Sequence, residues 1–204
     1  MSKADTVRTL MAAHGETFAG ALGIPLARNT PSPLFRWLTA CLLFAAPIGH
    51  AQAMSAARAL ADAGYRTAKA MAASTWSERV AVLNTHGYAR FDESTARKLG
   101  AMADLLLDRY RGDLRRLREA AGRDPAEERR LLKEVKGVGD VAVDIFFREA
   151  QGVWVEIHPF ADAVALRAAK RLGLGRNAQA LATRVPRAEF PRFVSALAWD
   201  EIEA

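Results

Sequence analysis

Two glycines one residue apart, preceded by two lysines, and an aspartate further along are the residues whose types and spacing could do chemistry. Gly137-Val138-Gly139 follows Leu131-Leu132-Lys133-Glu134-Val135-Lys136, and apolar residues recur at helical intervals at Val138, Val141, Ala142 and Ile145. So short a bend between two helices needs residues that tolerate positive φ, which glycine does at no steric cost. Bare glycines also let the amides at the start of the second helix approach a phosphate oxygen, backed by the helix macrodipole. Lys133 and Lys136 would add cations there. The same Gly-x-Gly also fits a plain helix C-cap with no ligand at all.

Asp162 stands just before an amphipathic segment, Ala163–Leu172. A carboxylate at a helix start caps the first amides. The helix dipole favours its ionised form, and a fixed negative charge can stabilise a developing cation or orient water. Both roles fit one side chain. The four histidines, His14, His50, His86 and His158, are scattered without metal-ligand spacing. The one cysteine, Cys41, excludes an internal disulfide, an all-thiolate zinc site and a four-cysteine iron–sulfur cluster. Lying in an apolar segment, it reads as an inert packed thiol in a reducing, cytoplasmic setting.

The formal charge of +6 is concentrated. Between Ala163 and Arg192 stand seven basic residues (Arg167, Lys170, Arg171, Arg176, Arg184, Arg187 and Arg192) against one acid, Glu189. That stretch accounts for the whole excess and suggests a polyanion, most economically nucleic acid. A solvated helix face is the competing reading.

The elements that must position these residues read almost entirely as helix. Half of the 204 residues are hydrophobic and a quarter charged, enough for a buried core. Helical periodicity runs over Lys3–Leu22, stopped by Gly23-Ile24-Pro25, with a loop through Asn29-Thr30-Pro31-Ser32-Pro33. The apolar run from Arg36 to Pro47 has the parts of a secretory signal but lies well inside the chain. It is also shorter than the ~20 residues that span a bilayer, so it reads as a buried core helix and no membrane partner is expected. Further helices are expected over 51–63, 67–73 and 77–84, then a break at Asn84-Thr85-His86-Gly87 and a long helix from Asp92 to Tyr110. Asp124 as cap and Pro125 at the first position open another, ending near Val135. Val153–Ile157 reads as an extended connection closed by His158-Pro159. The result is an all-α globule of about ten short helices.

With these elements in place, the hairpin resembles the helix-hairpin-helix motif of the DNA glycosylase superfamily that includes endonuclease III and 3-methyladenine DNA glycosylase II. The usual turn there is Pro-Gly-Val-Gly; here Lys136 replaces the proline. Asp162 through Gly173 resembles the segment that begins with the family's catalytic aspartate, at close to the usual interval from the hairpin. Weaker likeness extends to Cys41–Ala46 and to Gly87 through Leu99, so the resemblance spans about Pro33 to Leu174.

This resemblance implies a two-lobed helical fold. Residues 33–150 would form a central lobe with the hairpin, and residues 1–32 with 151–204 a second lobe. It implies a double-stranded DNA partner, a monomer, and excision of a damaged base in base excision repair. Gly137, Val138, Gly139, Lys133 and Lys136 would hold a backbone phosphate, joined by Arg167, Lys170 and Arg171. Asp162 would stabilise the cationic sugar and direct water to it. The base would be extruded into a pocket, with Trp154, Phe160 and Tyr88 as candidate π-faces. Bifunctional relatives carry a lysine nucleophile two positions after the last glycine; here that position is Val141, which cannot attack a sugar. The implied activity is therefore that of a monofunctional glycosylase without a lyase step. No organic cofactor or iron–sulfur cluster is expected, and a monovalent cation at the hairpin is implied by the resemblance alone. The alternatives are a non-enzymatic helix-hairpin-helix DNA-binding protein and a helical protein–protein adaptor.

Overall fold

A computed structural model of the chain describes residues 2–88 and 90–204 and, of His86, the backbone alone. The described residues are all-helical, with no strand among them. They divide into two compact units, Met1–Gly23 with Asp144–Ala204, and Ile24–Val143.

The discontinuous unit opens with α1 (Lys3–Ala13), started by a capping box in which Ser2 and Asp5 satisfy each other's backbone amides. The sequence suggests one helix from Lys3 to Leu22, but the chain breaks at His14 and restarts as α2 (Phe18–Ala21). Thr17 supplies the new cap by accepting from the Gly20 amide, which favours a second start over continuation.

In the continuous unit, α3 (Pro31–Phe44) begins two residues earlier than Pro33, with Pro31 in the first turn where its missing N–H costs nothing. Ten of its side chains, from Pro33 to Leu43, are buried. It is the expected core helix, and among the described residues no helix is long and apolar enough to cross a membrane. It packs on α4 (His50–Asp62). Next come α5 (Ala68–Ala73) and α6 (Trp76–Leu83), both packed on α7 (Asp92–Tyr110). The expected break at Asn84 is a wide helical turn over Asn84–Tyr88.

Arg79 ties these helices together from inside. Its Nε donates to the Ala96 carbonyl, and Nη1 donates to the carbonyls of Met71 and Ser74 and to the Ser74 hydroxyl. A buried guanidinium is tolerated when its donors are matched in this way. Gly100 makes room for it, since a Cβ there would lie 2.7 Å from Nη2. Then follow α8 (Leu114–Ala120), α9 (Pro125–Lys133), capped by Asp124 as expected, and α10 (Asp140–Ala150). The unit boundary at Val143 cuts α10, so its last two turns belong with the terminal helices.

The discontinuous unit is completed by α11 (Ala163–Arg171), α12 (Ala178–Ala182) and α13 (Phe190–Glu203). Ala165, Ala168 and Ala169 of α11 share a core with Phe193, Val194 and Leu197 of α13. Small side chains on one helix leave room for the large ones on the other, so the two helices pack closely. Val153–Ile157 is not extended: Val155–Ile157 form a single 3-10 turn, because Trp154 is drawn into the core and bonds back to the Ala150 carbonyl.

Candidate functional site

The hairpin between α9 and α10 forms as its sequence requires at one glycine. Gly137 has φ +92°, and a Cβ there would meet the Lys98 side chain at 2.7 Å, so both backbone and packing demand glycine. Gly139 has no positive φ, and its missing side chain would meet nothing within 4 Å. Its bareness therefore serves neither the turn nor the core. Val138 and Val135 are buried beneath the bend, and the Val138 amide donates to the Val135 carbonyl at 2.9 Å. Above them Lys136, Gly137, Gly139 and Asp140 are exposed. The first residues of α10 are thus exposed, and helix geometry leaves their amides without intrahelical acceptors.

Lys133 is less available than the sequence suggests. Lys133 Nζ lies 2.8 Å from the Asp140 carboxylate, which also draws Arg129 at 3.4 Å. Hydrogen bonding from Lys133, joined by the field of Arg129, holds Asp140 below the ordinary carboxylate range. Val141 is exposed on the first turn of α10.

Asp162 has a double engagement. One oxygen caps α11 by accepting from the Ala165 amide at 2.9 Å. The other accepts from Arg148 Nη1 at 2.6 Å, and both side chains are only 3% exposed. Arg148 also lies over the Phe18 ring at 4.4 Å, and Phe18 in turn stacks on Trp199 at 4.1 Å. The Arg148 Nε is buried without an acceptor.

The adjacent Glu149 accepts from the amides of Phe18 and Ala19 and from the Ser195 hydroxyl. Burial pushes its carboxyl above the usual range, against the pull of Arg148 and those three donors. Gln151 completes the frame. Its side chain exchanges two hydrogen bonds with the Phe160 backbone and donates to the Arg148 carbonyl. These polar groups fix the approach to Asp162.

The three aromatic candidates separate by exposure. Tyr88 is core: it is 1% exposed, its hydroxyl donates to the Leu43 carbonyl, and burial pushes its pKa up to about 12. Trp154 is fully buried, edge-on to Phe146. Stacking on a base needs an open ring face, which neither offers in this structure. Phe160 is partly exposed, edge-on to Phe147.

The basic helix α11 also divides. Arg167 Nε donates to Glu201, and Arg171 donates to Asp200 and Glu201, fastening α11 to α13. Lys170 is exposed and has no carboxylate partner among the described residues. No group of three or more His, Cys, Asp or Glu side chains converges as a metal site among the described residues.

Sequence reasoning missed Arg148, Glu149 and Gln151. One signal existed: Glu149 falls on the helical row Ala142-Ile145-Phe146, where a carboxylate among apolar residues must be buried and bonded.

No family model matches the chain, and no curated protein matches its sequence. Among solved structures, a trapped covalent intermediate of endonuclease III with DNA, an estranged-adenine complex, has a similar fold. The TM-score is 0.51 over 79% of this chain and 71% of that chain, at 22% identity. The all-helical fold of this protein is therefore of the endonuclease III kind.

Proposed function

We propose that the protein acts on damaged double-stranded DNA as a glycosylase that releases a base by hydrolysis and leaves the strand intact. The observation that carries this reading is the pair of exposed glycines, Gly137 and Gly139, at the hairpin bend of an endonuclease III-type fold, with an aliphatic residue at position 141. The bend presents α10 amides to a phosphate, and Gly139 keeps that approach clear. Lys136 stands beside it, and a monovalent cation would be held there by backbone carbonyls alone. A lengthening N-glycosidic bond places positive charge on the sugar, which a fixed carboxylate stabilises. For Asp162 to serve, Oδ2 exchanges Arg148 for the sugar while Oδ1 stays on the Ala165 amide. Phe160, the partly exposed one of the three aromatic candidates, would meet an extruded base.

A second reading has its own support. The closed Arg148–Asp162 pair is the arrangement of a DNA-binding protein whose aspartate is structural. A panel of lesion-bearing duplexes separates the two. Wild-type protein should yield alkali-labile sites with at least one lesion and no strand breaks before alkali. Asp162→Asn should lose that release and keep DNA affinity, with Asp162→Asn/Arg148→Gln restoring charge balance as a folding control. Release undiminished in both variants would remove Asp162 from the chemistry. No release by the wild type across the panel would favour the binding protein.

A further inference from the structure

We infer that a groove on the outer face of α11 is a second phosphate-binding subsite for duplex DNA, with Lys170 and Arg176 as its ligands. The groove has a volume of 410 Å³ and is lined by Ala163, Leu166, Arg167, Lys170 and Arg176. Three of the five lining residues are cations, and none is acidic. Ala163 and Leu166 give it an apolar floor of the kind a sugar edge can rest on.

The cations differ in what else they do. Arg171, one helical step away, spends its guanidinium on Asp200 and Glu201. Arg167 is held through Nε by Glu201, which orients it along the groove wall. Lys170 and Arg176 are exposed, and neither has a carboxylate partner among the described residues. Two unneutralised cations beside a third, over an apolar floor, suit consecutive backbone phosphates of one strand with the sugar between them. Free cations would rather be solvated than clustered, so an anion that bridges them gains from both. This assignment rests on the DNA reading above. It keeps Lys170 from the expected phosphate contacts, adds Arg176 from beyond the end of α11, and leaves Arg171 to its carboxylate partners.

The test is fluorescence anisotropy of a labelled, undamaged duplex with the full-length protein over a range of KCl. Each phosphate contact contributes roughly 0.9 to the slope of log affinity against log salt. Lys170→Ala/Arg176→Ala should therefore reduce the slope by about 1.8 and weaken binding at low salt by at least tenfold. Lys3→Ala/Arg8→Ala removes the same net charge from α1 and should leave the slope unchanged. Steep wild-type binding with an unaltered slope in the groove variant overturns the subsite and leaves the DNA reading standing. An equal fall in both double variants reduces the effect to net charge and also overturns it. Wild-type protein that binds no duplex, or binds RNA duplex in preference, overturns the subsite together with the reading it rests on.

Discussion

Arg148 Nη1 donates to Asp162 Oδ2 at 2.6 Å, and the two side chains are almost wholly withdrawn from water. Such a pair gains little net energy by forming, because desolvation offsets attraction. Removing one partner is different, since the other is left charged in the interior. The pair therefore fixes where Asp162 points more than it stabilises the fold, and it sets a condition on any use of that carboxylate.

Arg148→Ala should lower unfolding free energy by about 3–5 kcal/mol, the range for breaking a buried pair. Arg148→Gln/Asp162→Asn, which removes both charges and keeps hydrogen-bonding groups, should cost clearly less. Urea denaturation of the three proteins measures the difference. A loss under about 1 kcal/mol for Arg148→Ala would mean that water reaches the pair.

Asp140 bears on the hairpin in the opposite sense. It lies at the start of α10, where a negative charge suits the dipole, yet it occupies Lys133 at the face assigned to phosphate. Its pKa is lowered chiefly by Lys133, so the stabilising effect of this pairing is present above the ordinary carboxylate range and is lost as pH falls through the lowered value. Near neutral pH Asp140 is ionised, and only substitution frees the lysine. Asp140→Asn should raise duplex affinity several-fold and steepen its salt slope by roughly 0.9, one phosphate contact. Titration of a labelled duplex at two salt concentrations checks this, and weaker binding would show that Asp140 orients Lys133 rather than occupying it.

Periodicity and capping made much of the helical frame legible. The long helix at Asp92–Tyr110 and the Asp124-Pro125 start were open to sequence because propensity and cap chemistry are local. Asp162 as a cap belonged to the same class. What stayed hidden depends on contacts between distant residues. Nothing near Arg148 in sequence announces Asp162 as its partner, and nothing near Glu149 announces the amides of Phe18 and Ala19. Tyr88 and Trp154 read as candidates for a base because an aromatic's type does not reveal which way it faces. The break at His14 was hidden by a continuous apolar spacing on both sides of Gly15.

Gln151 offers the most direct measurement of how the approach to Asp162 is held. Its Oε1 accepts from the Phe160 amide at 2.9 Å, while Nε2 donates to the carbonyls of Phe160 and Arg148. One buried amide side chain thus does for residues 158–162 what a neighbouring strand would do elsewhere, pairing both polar groups of a residue in an irregular segment. Gln151→Ala takes this partner from the part-buried Phe160 groups and from the Arg148 carbonyl and should cost about 1–2 kcal/mol. Gln151→Glu retains an acceptor for the Phe160 amide but turns a carboxylate oxygen toward two carbonyls, so it should be at least as damaging. The distinguishing readout is hydrogen exchange at the Phe160 amide. It should accelerate in Gln151→Ala by far more than the amides within α13, which do not depend on this contact. Uniform acceleration across both would mean that Gln151 supports the whole unit and not the segment leading to Asp162.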